Sequence, residues 1–159
     1  MQVAMNLTDL TLPLDSMFSV ANSTALVAWV VLILLPRTQV LRRLIQVLAV
    51  GGLCVAYAVL IQLFFFPVPG GGFSTLEAVQ RLFAVPGVAL AGWIHYLAFD
   101  LFVGLWIAQR ADAMGLSRWL QAPVLVATFM FGPIGLMLFG LVVAARQGWR
   151  KPQLAEMAA

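Results

Sequence analysis

GWIHYLAFDLFVGLW, residues 92–106, sets a histidine and an aspartate five positions apart inside an otherwise apolar run. An ionisable side chain near the centre of a bilayer costs at least about 2.5 kcal/mol on the most lenient insertion scales, so His95 and Asp100 need partners or a use. At 100° per residue, Trp93, Tyr96, Asp100, Gly104 and Ile107 share one stripe of a helix, while His95, Phe99, Phe102 and Trp106 share another. The two ionisable groups point about 140° apart. They do not pair easily with each other, and each reaches towards a different wall. Tyr96 and Asp100, at i and i+4, can pair.

Working outward, Pro86 suits the first turn of this helix and Gln109, Arg110 and Asp112 mark a polar exit, giving a helix over about 86–109. The rest of the chain puts it in a membrane. Of 159 residues, 63% are hydrophobic and 9% charged, against about a quarter charged in soluble domains. Asp15 and Arg37 bracket an uncharged run that spans as a first helix, about 16–36, ended by Pro36. A second, about 40–66, is stopped by PVPGGG at 67–72. FSTLEAVQRLFA, 73–84, has apolar residues on one face and reads as a surface helix over about 74–84. A fourth helix, about 121–145, leaves through the basic, tryptophan-bearing RQGWRK, with the tail after Pro152 unstructured. The expected fold is all-α and polytopic. Residues 1–159 form a single transmembrane domain, a four-helix transmembrane bundle with a short amphipathic interfacial helix between its second and third members.

The net charge of +3 comes from arginines and lysines that flank the apolar runs. That is membrane flanking and not a nucleic-acid footprint. Cys54 is the sole cysteine, so neither a disulfide framework nor a metal site is expected. The N-terminal stretch has no basic segment ahead of its first apolar run, unlike a cleaved signal peptide. Arg37, Arg42 and Arg43 follow the first helix and no basic residue precedes it, which places the first loop in the cytoplasm. Four crossings would then leave both termini outside, an arrangement that the basic tail opposes.

Three chemical readings of the central helix stay open. Asp100 accepts from Tyr96 and a hydroxyl such as Thr128, with His95 capping a carbonyl, and the polar pair fixes helix register. Or burial keeps Asp100 neutral as a proton donor, with His95 the base across an apolar cavity. Or His95 ligates a macrocycle among Phe99, Phe102 and Trp106. In FMFGPIG, 129–135, Pro133 removes a helix bond inside the fourth span, and Gly132 and Gly135 allow close approach, so a small pocket for an apolar ligand is expected there. The candidate catalytic residues are Asp100, His95 and Tyr96. The candidate ligand contacts are Trp93, Phe99, Phe102, Trp106, Asn22, Tyr57, Thr128, Phe131 and Pro133.

WIH-x-L-x-x-DLF at 93–102, FGPIG at 131–135 and LLPR at 34–37 together resemble the membrane-protein family of plant neoxanthin synthase, the abscisic-acid-deficient-four-like family. The resemblance covers about 16–148 and is closer to the compact bacterial branch, with Trp93, His95 and Asp100 the matched positions. It implies a four-helix protein of xanthophyll metabolism in a bacterial inner membrane, cytoplasmic or photosynthetic. In the plant branch a 5,6-epoxide of violaxanthin is opened to an allene without a redox cofactor. The expected ligand is therefore a bound carotenoid, and the expected partners are the lipid bilayer, this polyene, and membrane proteins or a second copy of the chain. The alternative is a non-catalytic small subunit of a pigment–protein complex. A proton path is the weakest reading, because no second helix carries an intramembrane acid or base to extend a relay.

Overall fold

A computed structural model describes residues 13–156, with side chains as far as Arg146. The described residues are helical with no strand: α1 (Leu14–Leu34), α2 (Gln39–Phe64), α3 (Leu76–Phe83), α4 (Pro86–Ala113), α5 (Arg118–Phe131) and α6 (Pro133–Glu156). Each boundary has a local cause. Leu35 turns to extended backbone ahead of Pro36, as a residue before proline prefers. The Thr38 hydroxyl accepts from Leu41 N–H at 3.2 Å to start α2, and Thr75 accepts from Ala78 N–H at 3.1 Å to start α3. Pro86 opens α4. The helix closes beyond the expected Gln109, where Gly115 takes φ +64° and Leu116 N–H reaches back to the Ala111 carbonyl at 3.0 Å, a Schellman closure.

Helices α1, α2 and α4 are each long and apolar enough to cross a membrane. Helix α4 is the hub, about twice as buried along its length as α1 or α2, and it packs against all the other helices. The outer faces stay apolar, with Val20, Val27, Val47, Val55 and Phe99 all exposed, as suits lipid contact. A π-helical turn at Ile45–Val50 inside α2 departs from the regular helix expected there; it carries Ile45, Ala49 and Val50 into the core. Two apolar clusters divide the interior. One holds Leu90, Ile94, Leu97 and Ala98 of α4, the other Leu101, Leu105, Ile107 and Ala108, and Asp100 lies at the seam.

The expected fourth helix over 121–145 is not one helix. The chain breaks at Gly132, at φ +28°, and Pro133 begins α6. Proline supplies no N–H to continue the ladder, and only glycine enters that backbone region at low cost. The break is a reversal and not a kink. A Cβ on Gly135 would collide with the Thr128 backbone, one on Gly132 would collide with the Asp100 carboxylate, and Phe139 meets Trp106 edge-on at 5.7 Å. The offset between Gly132–Pro133 and Asp100 is kept between Phe139 and Trp106, so α6 returns alongside the second half of α4. Helices α5 and α6 thus form a hairpin whose tip stands at the midpoint of α4. Helix α6 runs on to Glu156, past the expected end and into the tail read as unstructured.

At the far end of α4 a polar knot around the connector after α1 ties α1, α4 and α5 together. Arg37, with its side chain 4% exposed, donates to the Leu32 carbonyl at 2.8 Å, to Asp112 Oδ1 at 3.0 Å and to Gln121. Gln121 Nε2 donates to Asp112 at 3.0 Å and to the Leu116 carbonyl at 2.8 Å, and Arg118 donates to the Leu35 carbonyl at 2.6 Å. Burial pulls the Arg37 guanidinium below its ordinary pKa while Asp112 pushes the other way.

Candidate active site

The two stripes of α4 face different surroundings. Trp93, Tyr96, Asp100, Gly104 and Ile107 look towards α1 and the hairpin. Trp93 Nε1–H donates to Asn22 Oδ1 at 3.1 Å, and the Asn22 amide donates to the Phe18 carbonyl at 2.8 Å, which fixes the indole against α1. Gly104 lies flat on the buried ring of Trp29. His95, Phe99, Phe102 and Trp106 turn outward and are exposed. His95 stacks on Phe99 with centroids 4.5 Å apart and leans on Tyr57 at 5.3 Å.

Asp100 is 8% exposed, and its Oδ2 is buried without a hydrogen-bond partner among the described residues. Its Oδ1 edge abuts Gly132. The positive end of α6 starts there, a place that favours an acidic group. Of the two expected hydroxyls, that of Tyr96 lies beside the Asp100 carboxyl and that of Thr128 is turned away from it. Thr128, fully buried, donates to the Val124 carbonyl of its own helix at 2.8 Å. Tyr96 donates to the Met130 carbonyl at 3.0 Å. That carbonyl lies in the last turn of α5, where carbonyls lack helix partners, so the phenol caps the break that Gly132 creates.

A cleft opens at the end of the bundle where α1 and α4 begin, and its deepest residue on α4, Trp93, stands about two helical turns from this carboxyl. The cleft, of about 390 Å³, has Asp15 at its mouth and Phe18, Leu90 and Trp93 within. Phe18 and Trp93 sit 6.0 Å apart, and Trp93 stacks on Tyr96 at 5.7 Å. The rings continue along α4 to Tyr96, one turn from Asp100, which stands about 21 Å along the helix from Pro86. A second groove on the other side of α1, about 400 Å³ between α1 and α2, is lined by Thr24, Leu48, Gly52 and Ile94 among others and has no ionisable wall. Of the two, only the first has an ionisable residue, Asp15, in its wall.

The structure brings Trp93, Tyr96, Asp100, Asn22, Thr128 and Pro133 into one region. Phe131 is exposed at the hairpin tip. His95, Phe99, Phe102 and Trp106 lie apart on another face of α4, with Tyr57 of α2 against His95. Reasoning from sequence missed Phe18 and Met130 as parts of the site and had Gly132 only as a point of close approach, not as a neighbour of Asp100. The FGPIG motif was the available signal for Met130 and Gly132, and Phe18 stands one helical turn before Asn22.

The family model described as ABA DEFICIENT 4-like matches residues 16–139. The chain belongs to that family. The matched span runs from the first turn of α1 through the hairpin tip to Phe139, and so contains Asn22, Trp93, Tyr96, Asp100, Thr128 and Pro133. No curated protein and no solved structure matches the chain.

Proposed function

We propose that this protein is an integral membrane protein of xanthophyll metabolism, a cofactor-independent isomerase that opens a carotenoid epoxide to an allene with Asp100 as its acid. The reading takes its substrate class from the family and its residue from the site. The observation that carries it is the Asp100 carboxyl, buried at mid-helix with one oxygen unpartnered, and the row of rings, Phe18, Trp93 and Tyr96, that runs from the apolar cleft towards it supports the reading. The carboxyl O–H gives its proton to the epoxide oxygen as the ring C–O bond breaks. A proton leaves the neighbouring chain carbon, and its C–H electrons become the second double bond of the allene. Oδ2 accepts that proton, so Asp100 ends as it began and substrate and product have the same atoms. His95, on the outward stripe, takes no part in this step. Helices α1, α2 and α4 cross the membrane, and α3 lies along its surface.

Expressed in a carotenoid-producing host, Asp100→Asn converts the epoxide about 100-fold or more slowly than wild type, read from the extracted pigment profile. Equal monodispersity in detergent shows that the variant folds. A folded Asp100→Asn protein that converts at the wild-type rate removes Asp100 from the chemistry. One observation favours a second reading. The outward row His95, Phe99, Phe102 and Trp106 is an exposed aromatic surface suited to a pigment-complex subunit. A stoichiometric second protein that co-purifies with wild type and with Asp100→Asn alike, together with an unchanged pigment profile, would select it.

A further inference from the structure

Away from the acid, between the start of α2 and the end of α4, lies a polar pocket of about 440 Å³ walled by Gln39, Arg42, Arg43, Gln46, Gln109 and Asp112. Its one acid is already held from inside the protein, because Asp112 Oδ1 accepts from buried Arg37 and from Gln121, both at 3.0 Å. Arg42 touches Asp112 Oδ2 only loosely at 3.9 Å, and Arg43 has no ion-pair partner among the described residues. The pocket therefore presents two guanidinium groups and three carboxamides with a surplus of positive charge. That is more N–H donors than a single carboxylate can occupy, and it suits the several oxygens of a phosphate group.

Its position narrows the source. The pocket lies where two apolar helices end, at headgroup height, and the neighbouring face of α2 exposes Val40, Leu44 and Val47. A phosphate held here would have acyl chains of its own beside that face. We infer that the Arg42–Arg43 pocket binds the phosphate of an anionic phospholipid on the side of the membrane where the first loop lies.

Native mass spectrometry of the detergent-purified protein tests this with phosphatidylglycerol, phosphatidylcholine and inorganic phosphate. Wild type retains phosphatidylglycerol over phosphatidylcholine. Arg43→Gln leaves the Arg42–Asp112 contact and the buried Arg37 knot intact, yet binds phosphatidylglycerol about fivefold more weakly. Arg81→Gln, at the opposite end of α4, behaves as wild type. Millimolar phosphate that displaces the lipid in wild type, with no preference between the two lipids, assigns the same pocket to a soluble phosphate compound and overturns the lipid assignment. Equal retention of phosphatidylglycerol by wild type, Arg43→Gln and the Arg42→Gln/Arg43→Gln double variant overturns the pocket itself.

Discussion

At the scale of single residues, Asp100 and Gly104 show how one stripe of α4 does two jobs. Asp100 meets the backbone at Gly132, and one turn further along, Gly104 meets the ring of Trp29, a side chain with 2% of its surface exposed and no room to retreat. Gly104→Ala puts a methyl into that ring and is expected to lower stability by about 1 to 3 kcal/mol, read as an earlier thermal transition in detergent. The same alanine at Gly52, where an added Cβ meets nothing, leaves the transition in place. The stripe was legible in the sequence because helical geometry depends only on spacing. The partners were not. Tyr96 reaches Met130 because a carbonyl is freed where α5 ends, and no local rule gives the position of that end relative to α4. For the same reason, the outward position of His95 follows from where α2 packs and not from the motif that contains it.

Among the helices, the hairpin is the element that sequence reasoning drew differently. Pro133 flanked by glycines signalled an interrupted helix, and an interruption inside an apolar run is ordinarily a kink. Reversal needs tertiary contacts: Gly135 against Thr128, Gly132 against Asp100 and Phe139 against Trp106. The boundaries of α1 to α3 and the start of α4 were readable because threonine caps and prolines act within a few residues, whereas the Gly115 closure carries α4 past the expected Gln109. Cysteines placed at Trp106 and Phe139 in a Cys54→Ser background are expected to join through a short bismaleimide. A single through-going helix over 121–145 would carry Phe139 away from Trp106 and leave the pair unlinked. Gel mobility after cleavage in the connector between α4 and α5 separates the two outcomes.

For the whole molecule, the hairpin changes the balance of charge. If α5 and α6 together reach only the midpoint of α4, then Arg37, Arg42, Arg43, Arg110, Arg118, Arg146, Arg150 and Lys151 all belong to one end of the bundle, and Arg81 alone to the other. A fourth crossing would have divided them almost evenly. The asymmetry that was ambiguous now agrees with a cytoplasmic first loop and moves the C-terminal end to that same side. A reporter fused at the C-terminus should be active in the cytoplasm and one fused ahead of α1 should not. Two reporters active on the same side would restore a fourth crossing. The composition showed that the chain belongs in a membrane, but counting crossings required knowing that α5, at about 21 Å, is too short to make one.

The hairpin also bears on how the protein is made. If the hairpin enters and leaves by one face, it carries no chain end through the membrane, and export through the insertion machinery would end with a third crossing. The chain beyond Gly115 can be released on the side where it was synthesised and close later against α4, bringing the backbone of Gly132 to Asp100. The acid would then acquire its final surroundings last, after the scaffold that shields it is already in the bilayer.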